Sequence, residues 1–335
     1  MKSKAGSAIS LLVDHPDTVT FLRQISDKWP GAIHVFIKVD TGYHRSGVTP
    51  ESSQFEKLLD ELSEDNQVQL QGFYSHLGSS YAGNSPSDAL HGLIKEIEGT
   101  EAAATAAKQR GLGSSKYILS VGASPTATAA QNLFLSDTRE GKSFNELASR
   151  VRRAGHAIEL HAGVYPVLDL QQLATHARPS SVPSNADVAS LSTSDIALRI
   201  LVEVASLYPD REKPEALIAA GSIALGREPC KSYPGWAAVT PWKSRNSNAL
   251  SNGVAAYSEK QRTGWIVGRI SQEHGILSWE GPTEDIQRLQ IGQKLLLWPN
   301  HACIAGAGYG WYLVVDSDGD DPDIIRDVWV RCRGW

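Results

Sequence analysis

In the first half of the chain, short apolar runs alternate with segments whose apolar residues recur at helical spacing. Ala8–Asp14, Ile33–Asp40, Val68–His76, Tyr117–Gly122 and Ala157–His161 are rich in aliphatic or β-branched residues and read as strands. Between them, Val19, Leu22 and Ile25 repeat every three residues, and Phe55, Leu58, Leu59 and Leu62 line one helical face. The segment Ser87–Arg110 carries Leu90, Leu93, Ile94 and Ile97, follows Pro86 and stops at Gly111, which suits the residue just past a helix end. Strands and helices alternating at this spacing predict parallel strands joined by crossover helices.

After about Gln172 the pattern changes. Residues 177–195 (ARPSSVPSNADVASLSTSD) are rich in Ser, Pro and Asn, and read as a linker or surface insertion. Strand-like runs follow at Ala197–Leu207, Ala216–Leu225, Trp265–Ile270, Leu295–Trp298, Trp311–Val315 and Val328–Cys332, without a strong helical repeat, so this half is expected to be mainly β. The acidic tract Asp316–Asp323 lacks the downstream Glu and flanking helices of an EF-hand and reads as a solvated turn rather than a cation loop.

Composition narrows the class. A chain of 335 residues has room for about two domains, and 41% apolar with 21% charged residues excludes disorder. The formal charge of −5, from 32 basic and 37 acidic residues, gives no case for nucleic acid or an anionic membrane. No apolar run approaches the roughly 18 residues of a membrane span, and Ile9–Val13 is too short for a secretory signal. Cys230, Cys303 and Cys332 cannot all pair with one another, which favours a reducing, cytoplasmic setting.

The unusual chemistry collects where the first-half strands end. These ends read Asp14-His15, Lys38–Gly47 (KVDTGYHRSG), Ser75–Tyr81 (SHLGSSY), Gly122–Thr126 (GASPT) and His161–Tyr165 (HAGVY). Parallel α/β proteins bind ligands at the carboxyl ends of their strands, so five such ends in register point to one ligand site. Hydroxyls beside backbone N–H groups in Gly122–Thr126, with Gly163 allowing close approach, suit a phosphate. Tyr74, His76 and Tyr81 would flank a flat aromatic ring. The chain has neither a GxGxxG nor a P-loop pattern, which disfavours dinucleotides and nucleoside triphosphates. In the second half, Pro299–Cys303 (PNHAC) places an imidazole and a thiol two residues apart. On an extended strand these would share a face and one zinc ion, at about 2.0–2.1 Å and 2.3 Å.

Taken together, the stretches Lys38–Val48, Gly72–Tyr81, Ser120–Thr126, Glu159–Asp169 (ELHAGVYPVLD), Gln272–Gly275 (QEHG), Pro299–Cys303 and Asp327–Trp335 (DVWVRCRGW) resemble, in order, the eukaryotic D-serine dehydratases. These are alanine-racemase-like, fold type III pyridoxal-phosphate enzymes. Two positions depart from the family pattern, Val164 in place of Asn and Ala219 in place of Asp.

The resemblance implies an α/β plus β chain. Residues 1–176 would form part of a (β/α)8 TIM-type barrel, from about its fourth strand onward, and residues 196–335 a mainly-β domain carrying zinc. It places Arg45 beside the cofactor's phenolic oxygen and His76 and Tyr81 near the ring. His161 stands where alanine racemases hold the pyridine nitrogen. Ser124, Thr126, Gly163 and Val164 would hold the phosphate, with Tyr165 beside them. His301 and Cys303 would bind the zinc that helps the substrate hydroxyl leave, as a Lewis acid beside the cofactor's electron sink. The implied reaction is elimination of D-serine to pyruvate and ammonia, in a homodimer. The family's cofactor-anchoring lysine lies in an opening motif that this sequence does not show, since the context of Lys2 and Lys4 does not match it. The expectation is that no catalytic lysine is present and that the chain is truncated at its N-terminus. Two alternatives stay open: another 3-hydroxy-D-amino-acid lyase, such as a D-threonine aldolase-like enzyme, and a non-catalytic binder of zinc or cofactor.

Overall fold

The computed structural model describes residues 9–64, 66–112, 116–131, 137–178, 191–240, 242, 254, 256–258, 260–317, 319 and 321–332. Lys2, Lys4, most of the expected 177–195 linker and the last three residues of the DVWVRCRGW ending lie outside the described residues. The chain divides into two compact units, Met1–Gly163 with Thr175–Ser190, and Val164–Ala174 with Leu191–Trp335.

In the first unit, β1 (Ser10–Val13), β2 (Ile33–Lys38), β3 (Val68–Ser75), β4 (Ile118–Val121) and β5 (Ala157–Leu160) pair in parallel, in that order. Among the described residues the sheet is open. Its edge strands and their flanks carry exposed apolar side chains: Ile9 and Leu160 are each 45% exposed and Leu12 50%. The helices are α1 (Pro16–Gln24), α2 (Ser53–Ser63), α3 (Pro86–Gln109), α4 (Ser124–Ala129) and α5 (Arg139–Arg153). Phe55, Leu58, Leu59 and Leu62 bury one stripe of α2, as the spacing predicts. The Ser85 side chain caps α3 by accepting from the Asp88 N–H at 3.1 Å, and Pro86 occupies the first turn, where no donor is lost. The helix ends where Gly111 turns to φ +71°: its N–H bonds the Lys108 carbonyl, and the Leu112 N–H bonds that of Ala107.

In the second unit, β6 (Ile200–Tyr208), β7 (Glu215–Ile218), β8 (Ala237–Val239), β9 (Gly264–Ile270), β10 (Gly275–Glu280) and β11 (Lys294–Pro299) close an antiparallel barrel in the order β10-β7-β6-β11-β8-β9. Alternate residues Ile200, Val202 and Val204 of β6 face the interior, with Leu295 and Leu297 of β11. A second cluster joins Leu168, Leu170, Leu173 and Ala174 to Ile196, Tyr233 and Trp298. The segment from Val164 through α6 (Leu170–Ala174), read from sequence as part of the first domain, therefore contributes to the core of this unit. A separate hairpin, β12 (Trp311–Val315) with β13 (Ile325–Val330), completes it.

Two expectations are corrected. The strand expected over Ala216–Leu225 stops at Ile218, and Ser222–Leu225 forms α7, whose first N–H bonds the Ser271 carbonyl at 2.7 Å. The Pro299–Cys303 stretch is not extended either: β11 ends at Pro299 and Ala302–Ala307 is helical (α8), so the strand-face argument for His301 and Cys303 does not apply. No helix among the described residues is long and apolar enough to cross a membrane.

Candidate functional site

The carboxyl ends of the parallel strands bring several shifted titratable groups of the first unit together. After β2, the chain turns through Asp40, whose carboxylate accepts from the Gly42 N–H at 2.8 Å, the His44 N–H at 3.1 Å and the His44 ring at 2.9 Å. Burial opposes the charge on Asp40, but these donors together hold its carboxyl below the ordinary range. The loop returns so that the Val48 N–H bonds the Lys38 carbonyl at 3.0 Å. Lys38, Asp40, Tyr43, Arg45 and His76 line a recess there. The Lys38 ammonium sits 4.4 Å from the Tyr74 ring centroid, and burial, then the Arg45 charge, lower its pKa.

Tyr74 stacks on His161, with centroids 4.2 Å apart and planes 7° from parallel, and His76 lies 6.2 Å from His161 at 12°. Both imidazoles are pushed down to about 4. Burial is the main cause for each, helped by Arg45 and Lys38 at His76, and by His76 and Lys38 at His161. They are neutral at pH 7, so their tautomers matter. The Ser120 hydroxyl gives its one proton to Glu159 Oε1 at 2.7 Å and can only accept from His161 Nδ1 at 3.1 Å. His161 therefore carries its proton on Nδ1. Its Nε2 is buried with no hydrogen-bond partner among the described residues, and a backbone hydrogen bond from the ring to Gly122 works against the lowering by burial.

A residue that the sequence reading passed over holds these strand ends together. Glu96 of α3 is fully buried, and its Oε1 accepts from the Leu77 N–H after β3 at 2.8 Å and the Gly122 N–H after β4 at 3.3 Å. Its Oε2 accepts the Thr126 hydroxyl at 2.7 Å. Desolvation raises its pKa to about 7 against the help of these donors. Gly122 has φ +144°, and an added Cβ would lie 2.1 Å from the His161 carbonyl oxygen, so only glycine fits at this corner. Of the residues expected here, His76 and His161 come together with Lys38. Arg45 is exposed on the loop above, and Tyr81 is half-buried in the turn Gly78–Ala82. Ser124 and Thr126 are buried at the start of α4, and the Thr126 oxygen also accepts the Ala123 N–H at 2.8 Å. Gly163 ends the first stretch of the first unit, while Val164 and Tyr165 begin the segment that belongs to the second.

In the second unit, His301 precedes α8 and Cys303 lies in its first turn. Asp169 is fully buried. It accepts the Ala302 N–H at 2.8 Å and the Gln172 N–H at 2.9 Å, and burial raises its pKa. His301 Nδ1 lies 2.5 Å from Gln171 Oε1. Burial, then the Asp169 charge, raise the Cys303 thiol. Among the described residues, no three or more His, Cys, Asp or Glu side chains form a group that could hold a metal ion. Sequence reasoning missed Glu96, Asp169 and Gln171. Each sits in a helical or apolar pattern, and its most telling partners (Leu77 and Gly122 for Glu96, Ala302 for Asp169, His301 for Gln171) lie far away in the chain.

Comparison with known proteins agrees with this architecture. Residues 2–144 match the alanine racemase N-terminal domain, and residues 197–315 the putative serine dehydratase domain. The chain is 32% identical to the D-serine dehydratase of Schizosaccharomyces pombe, covering 99% of this chain and 69% of that protein. It is 31% identical to the D-serine dehydratase of Saccharomyces cerevisiae, covering 90% of this chain and 63% of that one. Two solved variants of D-threo-3-hydroxyaspartate dehydratase superpose with TM-scores of 0.69, at 25% and 26% identity, over 97% of this chain and 73% and 71% of theirs. One replaces a cysteine with alanine and is in the metal-free form; the other replaces a histidine with alanine. With both halves matched, and a relative above 30% identity aligned along 99% of this chain and 69% of its own length, the chain belongs to the D-serine dehydratase family.

Proposed function

We propose that this chain carries the cofactor-bearing and metal-bearing parts of a lyase that converts D-serine to pyruvate and ammonia. The reading draws on the family and on the chemistry of the two residue groups. The five-stranded sheet is read as an arc of an alanine-racemase-type barrel, and the expected working state is a cytoplasmic homodimer.

One observation carries the reading: the orphaned Nε2 of His161, beside the stacked Tyr74 ring. A buried acceptor beside an aromatic ring fits the pyridine ring of pyridoxal phosphate. That cofactor, when bound, supplies an electron sink for the bond-breaking at the substrate α-carbon. His161 would accept from or abut the pyridine nitrogen as a neutral base. Arg45 and Lys38 supply positive charge at the same end of the sheet, suited to the phenolate. Glu96 holds the Leu77 and Gly122 N–H groups and the Thr126 hydroxyl, so the corner carrying Ser124 and Thr126 is fixed, and a phosphate there would have to take these donors from the carboxylate.

His301 and Cys303 offer one imidazole and one thiol, a donor pair suited to zinc rather than to a harder cation. Zinc held there would act as a Lewis acid on the departing hydroxyl.

The test uses the full chain with pyridoxal phosphate and zinc. Expected is saturable binding of the cofactor by difference absorbance, weakened at least tenfold in His161→Ala, with no pyruvate from D-serine unless a lysine of this chain anchors the cofactor. Borohydride reduction with peptide mapping reports whether any lysine of this chain anchors the cofactor; the sequence reading expects none. Because a 3-hydroxyaspartate dehydratase is among the relatives, D-threo-3-hydroxyaspartate is assayed in parallel. Binding that is absent, or unchanged in His161→Ala, overturns the cofactor reading.

A further inference from the structure

The environment of His301 fixes more than its position. The Gln171 carboxamide donates from Nε2 to the Pro229 carbonyl at 2.8 Å, and a carbonyl can only accept, so the orientation of the amide is settled. Its oxygen, not its nitrogen, therefore faces His301 Nδ1 at 2.5 Å. An amide oxygen cannot donate, so the imidazole must carry a proton on Nδ1. In the neutral ring this leaves Nε2 as the lone pair.

The backbone reinforces the arrangement. The Gln171 N–H bonds the Asn300 carbonyl at 3.1 Å, and Asp169 accepts the N–H of Ala302 on the other side of His301. Asn300 is buried, and its amide donates to the carbonyls of Glu228 at 3.0 Å and Gly235 at 2.9 Å. His301 is thus held through the residues before and after it and through its own ring.

We infer that Gln171 is a positioning residue that locks His301 in the tautomer presenting Nε2 to a metal. The inference rests on the reading above that His301 and Cys303 take zinc. The physical effect is the one outer partners exert in metal sites: a fixed acceptor on one imidazole nitrogen sets the ring angle and raises the basicity of the other. Without that acceptor the ring would populate both tautomers and several rotamers, and each would have to be reversed before coordination.

Two readouts test this on the full chain. The first is long-range ¹⁵N–¹H correlation of the metal-free protein, which reads the tautomer of His301 directly, assigned with His301→Ala. The second is zinc affinity by competition with a chromophoric chelator. Wild type should show the Nδ1–H form. Gln171→Met should shift His301 toward a mixture of tautomers and weaken zinc roughly 10- to 100-fold, with circular dichroism unchanged. Gln171→Glu loses the donor to the Pro229 carbonyl but retains an acceptor for Nδ1, and should keep the Nδ1–H form and bind zinc more tightly than Gln171→Met. A wild-type His301 that is Nε2-protonated or mixed overturns the inference, as does a Gln171→Met variant with wild-type tautomer and wild-type zinc affinity. Zinc binding unaffected by His301→Ala would instead remove the metal reading, and the tautomer measurement would still decide the role of Gln171.

Discussion

Glu96 and the histidine pair make opposing contributions to the pH dependence of the first unit. A carboxyl raised to about 7 in the fold binds more protons there than in the unfolded chain, whose value is near 4.5. Its contribution is therefore full below the unfolded value and lost as pH rises through 7. His76 and His161, lowered to about 4 from 6.5, bind fewer protons in the fold, and their contribution is lost as pH falls through that window. Between pH 4.5 and 6.5 one carboxyl partly offsets two imidazoles. Glu96→Gln should therefore steepen the loss of stability on acidification, read from urea midpoints across that range. Glu96→Leu should in addition lower stability at every pH by about 2–4 kcal/mol, because it leaves the Leu77 and Gly122 N–H groups buried and unpaired. Gly122→Ala meets the His161 carbonyl and a left-handed backbone at once, and should cost more than about 3 kcal/mol or fail to fold, as seen in expression and melting.

At the scale of elements, local signals and distant ones separate cleanly. Ser85→Ala should lower stability by about 1 kcal/mol, read from urea unfolding, through the lost cap on α3 and without moving the position of the helix. That cap, the proline after it and Gly111 all stand within the helix's own sequence, so the helix was legible to within a residue or so. The parallel strands were legible for the same reason, since each is a short apolar run closed by glycine or polar residues. Short helices were not. Ser222–Leu225 and Ala302–Ala307 are four and six residues long, too short for a helical period to show. The site divides the same way. His76, His161, His301 and Cys303 announce themselves as residue types at strand ends or in a motif. Glu96 lies between Leu93 and Ile97 on the buried face of α3 and looks like one more polar residue of a long helix. Its meaning comes from Leu77, Gly122 and Thr126, which only the fold brings to it.

At the scale of the whole molecule, the β12–β13 hairpin leaves much apolar surface open. Trp311 and Trp329 are each 60% exposed and Val330 78%. Such strands favour edge pairing between chains, so Val328→Lys with Val330→Lys should reduce light scattering at high concentration while leaving the melting temperature within about 2 °C. The other molecular feature is the order in which the two units acquire their parts. Leu168, Leu170, Leu173 and Ala174 pack with Ile196, Tyr233 and Trp298, although part of the first unit follows them in the chain. On the ribosome these apolar residues emerge well before Trp298 exists to cover them. The first unit can be assembled while the second still waits, with four buried-to-be side chains uncovered for the synthesis of more than a hundred residues, which at roughly 5–20 residues per second is many seconds. A chaperone holding nascent chains should therefore bind ribosome-stalled lengths ending between about 200 and 290, and release them once β11 has emerged.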